Sequence, residues 1–218
     1  MRDEIHRDYL LTPAMTVGEY TDAALVTAIY HGRGEYPGLA YAALGLCNQV
    51  AELEEEVIWM SRDRAAYHKD YSAHFEAFAS EAADVMWYAA ALGAEAAAVA
   101  KTRLPVLEEH AICSTAPPPL TPTPGTYNPG RLMKALAPIK RGAGLLAGVV
   151  KKVGRDDHFE LSLENADVIA DLLIEIWQAL AWLSIETSGG NSAEKWAGAN
   201  LVKLKSERKV LTGSGGDR

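Results

Sequence analysis

An all-α helical bundle is the fold this sequence predicts, on three observations. Apolar residues recur at helical spacing through both halves of the chain, sustained period-2 alternation is absent, and one proline-rich segment interrupts the helices. That segment, residues 115–130, reads TAPPPLTPTPGTYNPG. Its Pro117, Pro118, Pro119, Pro122, Pro124 and Pro129 remove backbone donors and fix φ, so it can be interior to neither helix nor sheet. It reads as a semi-rigid linker between a unit at 1–114 and a unit at 131–218.

Each helix has its own local reason. Thr16-x-x-Glu19 is a capping-box pattern that opens a helix running through Ala28. Leu39 to Met60 carries Ala43, Leu46, Val50, Leu53, Val57 and Met60 on one face. Phe75 to Lys101 is dominated by alanine, the strongest helix former, which also lets backbones approach closely. In the second unit, Leu132 to Val153 reads as helix, Ser162 caps the run Ala166 to Thr187, and Asn191-x-x-Glu194 opens the last helix. Antiparallel helices joined by short loops make a bundle.

The two units echo each other. Arg62-Asp63 and Arg155-Asp156 lie 93 positions apart, and Trp87 and Trp177 lie 90 apart, so one three-residue indel reconciles the landmarks.

Composition narrows the function. A chain with 49% hydrophobic and 23% charged residues is ordinary for a globular protein. A net charge of −8 argues against a general nucleic-acid binder, though not against a nucleotide carried with divalent cations. Cys47 and Cys113 are too few and too far apart for a disulfide scaffold or zinc ribbon, and Cys47 reads as a buried thiol. The N-terminus lacks an apolar signal-peptide core, and the apolar stretch Val85 to Ala94 is too short for a bilayer, so a cytoplasmic protein without membrane contact is expected.

The chemistry concentrates in acids. Glu52 and Glu55 lie three apart on one helix, and Glu81 and Asp84 three apart on another, a spacing that puts each pair on one face. If those helices pack antiparallel, the carboxylates converge, and Mg²⁺ or Mn²⁺ with hard oxygen ligands is the usual remedy for their repulsion. Glu52-Leu-Glu54-Glu55-Glu56 by itself would be a solvated acidic face. Asp84 is different, because it borders the apolar run Val-Met-Trp-Tyr-Ala-Ala-Ala.

These residues resemble a known family. Tyr41-Ala-Ala-Leu-Gly-Leu-Cys-Asn-Gln49-Val-Ala-Glu52-Leu-Glu-Glu55 is similar to the first motif helix of MazG-like all-α NTP pyrophosphatases, and Glu81-Ala-Ala-Asp84-Val-Met-Trp-Tyr resembles their second motif. Ala199-Asn200-Leu-Val-Lys203 through Arg208, with the end Gly213 to Arg218, resembles the tail of phage-type members. The resemblance implies hydrolysis of a nucleoside triphosphate, such as a purine deoxynucleotide, to the monophosphate and pyrophosphate. It implies two or more Mg²⁺ or Mn²⁺ ions on Glu52, Glu55, Glu81 and Asp84, with Gln49 standing where a first glutamate ligand belongs. Glu55 and Glu52 are the expected catalytic carboxylates, Glu55 being the candidate to take the proton of the attacking water. The second unit has Gly142, Leu145 and Ile174 where acids would align and keeps only Asp171, yet carries Lys151-Lys152 where the first unit has Ile58-Trp59. The expectation is a pseudo-dimer within one chain, open to further homo-oligomerisation. Its second copy would bring Lys151, Lys152, Arg155 and Lys203 to the phosphates of a site held by the first. Tyr30, Trp59, Trp87 and Tyr88 are candidates to stack on a base, although Trp87 and Trp177, inside apolar runs, read as core. Gln49 and the degenerate second copy also suit a catalytically weakened nucleotide-binding or regulatory protein.

Overall fold

The computed structural model describes residues 15–62, 71–112, 129–188 and 192–213. Asp63, Cys113, linker residues 115–128, Asn191 and the tail beyond Gly213 lie outside the described residues. Seven α-helices follow in order: α1 (Val17–Ala24), α2 (Tyr36–Arg62), α3 (Tyr71–Val99), α4 (Pro105–Glu108), α5 (Pro129–Arg155), α6 (Leu163–Ser188) and α7 (Ser192–Gly213). Among the described residues there is no strand, only an isolated bridge between Thr16 and Ala111.

The local signals explain the boundaries. The capping box of α1 is complete: the Thr16 hydroxyl accepts from the Glu19 amide and the Glu19 carboxylate accepts from the Thr16 amide. That helix stops at Ala24 and tightens into a 3₁₀ turn at Leu25–Thr27, short of the expected Ala28. Ser162 accepts from the Asn165 amide at 3.1 Å and so caps α6. Pro129 and Gly130, read as the end of the linker, open α5 instead, since proline is tolerated in a first helical turn. The short α4 was not foreseen; Pro105 sets its start.

The four long helices α2, α3, α5 and α6 form the bundle. α2 packs between α3 and α5, and α6 closes the ring against both. α1 and α7 lie against α3, on the side away from α5. One continuous core draws on both halves, including Tyr20, Leu39, Leu46, Leu53, Phe78 and Met86 with Leu132, Leu136, Ile176 and Trp177. Cys47 is only half-buried; its thiol donates to the Ala143 carbonyl, and burial raises its pKa. Unlike Val85 to Ala94, the segment Leu163–Thr187 is apolar and long enough to cross a membrane. Most of that segment is buried inside the bundle, as in a core helix.

Candidate functional site

The site is set by how α2 and α3 approach. Gly38, Gly45 and Glu52 follow at seven-residue intervals on α2, and Glu95, Tyr88 and Glu81 do so in reverse on α3. A side chain at Gly45 would overlap the Tyr88 ring, and one at Gly38 would meet the Glu95 carboxylate, so these pairs face each other. The helices are antiparallel, and the same register carried onward sets Glu52 opposite Glu81 and Gln49 opposite Asp84.

Electrostatics agree with that register. The Glu81 carboxyl is held above the ordinary glutamate range, first by burial and then by the negative charges of Asp84 and Glu52, with Glu56 adding and Lys203 opposing. Glu55 is not among the groups acting on it. Glu55 is exposed and lies about 160° around the helix from fully buried Leu53, on the outer side of α2. Sequence spacing alone placed Glu52 and Glu55 together. The α2 charges that act on Glu81 are instead those of Glu52 and of Glu56, one turn on. Glu54 is engaged elsewhere, in an ion pair with Lys140 of α5.

Two of the seam acids, Glu52 and Asp84, have internal partners. Glu52 accepts from the side-chain amides of Asn48 at 2.9 Å and Gln49 at 2.7 Å. Asp84 accepts from Lys203 Nζ at 3.0 Å and 3.2 Å, and its Oδ1 also accepts from Asn200 Nδ2 at 3.2 Å. Lys203 reaches Ser80 Oγ at 3.5 Å as well. Among the described residues, no group of three or more acids, histidines or cysteines converges closely enough to hold a metal ion with the side chains in these positions. The donor set itself, carboxylate oxygens, suits a hard divalent cation in kind.

The expected basic residues divide. Lys203 is at the acids. Lys151, Lys152 and Arg155 are not: α5 runs antiparallel to α2, with Lys140 beside Glu54 and Gly154 beside Tyr36. That register leaves Lys151 near the first turns of α2, roughly 20 Å along the helix from Glu52 at 1.5 Å per residue. The three residues instead line a shallow groove of about 350 Å³ with Gly144, Leu145, Gly148 and Val149, and Arg155 is paired with Asp156 at 2.6 Å. In the second half, Gly142, one of the positions aligned with the acids, packs against Ile176, and its neighbour Arg141 pairs with Glu175 of α6.

One turn beyond Asp84, the seam becomes aromatic. Tyr30 stacks on Tyr41 at 4.6 Å, Trp87 meets Tyr30 edge-on at 6.2 Å, and Tyr41 lies 6.0 Å from Tyr88. Tyr41 is partly exposed, whereas Trp177 is fully buried in the core. Burial, the Tyr41 hydroxyl and the charges of Asp84 and Glu52 all raise the Tyr88 pKa, which ties this cluster electrically to the acids. Buried Glu95 anchors its far end, accepting from the Tyr30 hydroxyl at 2.7 Å and the Gly34 amide at 2.6 Å.

Sequence reasoning did not reach Tyr20 or the contact of Asn200 with Asp84. The signal available for the seam was the seven-residue spacing from Gly38 through Gly45, which picks out Glu52. The chain matches no family model, no curated protein and no solved structure.

Proposed function

We propose that the chain is a metal-dependent nucleoside triphosphate pyrophosphohydrolase, acting on (d)NTPs at the α2–α3 seam. The observation that carries this reading is the register that sets Glu52 against Glu81 and Gln49 against Asp84, with Lys203 as a built-in cation on Asp84. Glu52, Glu81 and Asp84, with Glu56, would hold Mg²⁺ or Mn²⁺, which when bound would polarise phosphate oxygens and activate water. Glu56 replaces Glu55 as the side chain suited to take a proton there. Lys203 would offset charge on the phosphates. Tyr41 and its aromatic neighbours offer a stacking face for the base, beginning one turn from Asp84 at Tyr88 and reaching about three turns from Glu52 at Tyr41. Lys151, Lys152 and Arg155 have no part in this site from within their own chain.

The test is incubation with each dNTP and Mn²⁺ or Mg²⁺ while pyrophosphate is followed. Metal-dependent release that Glu81→Gln abolishes is expected. Nucleotide binding with no release from any dNTP would replace hydrolysis with the non-catalytic binding module that Gln49 makes the second reading.

Gln49 also yields a prediction of its own. Gln49→Glu adds a charge opposite Asp84 and is expected to tighten Mn²⁺ binding by roughly tenfold, about 1.4 kcal/mol. An unchanged titration would place the ligands one turn along, on Glu52 and Glu56.

A further inference from the structure

We infer that Tyr20 and Asn200 are positioning residues for Asp84, so that the first and last helices of the bundle set the geometry of the acid seam. This rests on reading the seam as a cation site. Tyr20 is fully buried on α1, and its ring lies edge-on to Trp177 at 5.8 Å. The packed ring fixes the place of its hydroxyl, which donates to Asn200 Oδ1 at 2.8 Å. Asn200, 1% exposed, donates in turn from Nδ2 to Asp84 Oδ1.

The direction of this line is forced. An ionised carboxylate only accepts, so it selects the amide nitrogen of Asn200. The amide oxygen must then face the phenol, which supplies a proton. Turned over, the amide would press its oxygen against the Asp84 carboxylate. A buried phenol and a buried carboxamide are costly unless paired, and phenylalanine at position 20 would fill the same space against Trp177 without that demand. The polar atoms are therefore explained by where the line ends, at a carboxylate of the seam. Asn200 holds Oδ1 from the buried side, which fixes the direction in which Oδ2 points.

Outer hydrogen bonds of this kind typically change metal affinity by about 10- to 100-fold when removed. The experiment is calorimetric titration of Mn²⁺ into the full-length wild type, Tyr20→Phe, Asn200→Leu and the double variant, each with its melting temperature. Tyr20→Phe is expected to bind Mn²⁺ at least about tenfold more weakly, with Asn200→Leu at least as weak. The double variant should add little to Asn200→Leu, because the two residues act in series. Wild-type Mn²⁺ affinity in a folded Tyr20→Phe, even with a lower melting temperature, would reduce the line to a packing feature and overturn the inference while leaving the cation site standing. Absence of Mn²⁺ binding by the wild type would remove the cation-site reading, and the inference with it.

Discussion

Glu81→Gln is expected to lower metal-dependent pyrophosphate release on the order of 1,000-fold, equivalent to about 4 kcal/mol of transition-state stabilisation. The substitution keeps the shape, exchanges one accepting oxygen for a donating NH2, and removes the charge opposite Glu52. Stability should move the other way. Burial and the neighbouring acids raise the Glu81 pKa, so the folded chain holds this proton more tightly than the unfolded chain does. That contribution favours folding below the ordinary glutamate range and is lost as pH rises through the folded value. At neutral pH, without metal, the glutamine variant should therefore melt no lower than the wild type, and the gap between them should narrow on acidification. A variant that is inactive because it is unfolded would melt lower, which separates the two causes. Full activity in a folded Glu81→Gln would sink the assignment of this residue.

The largest stability effect is expected at Gly38. A methyl group there would overlap the Gly32 carbonyl and lie 2.6 Å from Glu95 Oε2. Neither neighbour can yield easily. Gly32 sits at φ +74° in the tight turn that enters α2, where its carbonyl accepts from the Gly38 amide at 3.0 Å. Glu95 is buried and already committed to Tyr30 and Gly34. Gly38→Ala should cost about 3 kcal/mol, a fall in melting temperature of about 6–12 °C. Gly144→Ala on α5 is the matched control, because nothing lies within 4 Å of the added carbon. It should be neutral or stabilising by up to about 1 kcal/mol through helix propensity. Equal melting temperatures for the two variants would mean that α2 and α3 can separate at no cost, and the register would lose its support.

Much of the helical layout was legible in the sequence because it is written in local signals. The Thr16–Glu19 box and Ser162 each act within one turn of themselves, so reading them needs no tertiary information. The 3₁₀ turn after Ala24 and the extra helix at Pro105–Glu108 depend on neighbours and were not visible. The acid seam was half legible. The three-residue spacing found Glu81 and Asp84, which share a face that borders the core. On α2 the same rule chose Glu55, since spacing within one helix says which residues share a face but not which face meets the partner. Gly38 and Gly45, whose missing side chains admit Glu95 and Tyr88, carry that information. Lys151, Lys152 and Arg155 failed for a related reason: a repeat suggests equivalence between halves, while the antiparallel register of α2 and α5 sets distance. Lys203 and Asn200 come to Asp84 only through the docking of α7 against α3, a contact between residues more than a hundred positions apart.

The reading turns on whether these carboxylates, with Lys203 resting on Asp84, accept a divalent cation. Electron paramagnetic resonance reports free Mn²⁺ directly as protein is titrated with the ion. The wild-type chain is expected to deplete the free signal saturably, Glu81→Gln and Asp84→Asn to abolish the depletion, and Glu175→Gln, on α6, to leave it intact. Depletion that survives both Glu81→Gln and Asp84→Asn, or no depletion by the wild type, would contradict that reading.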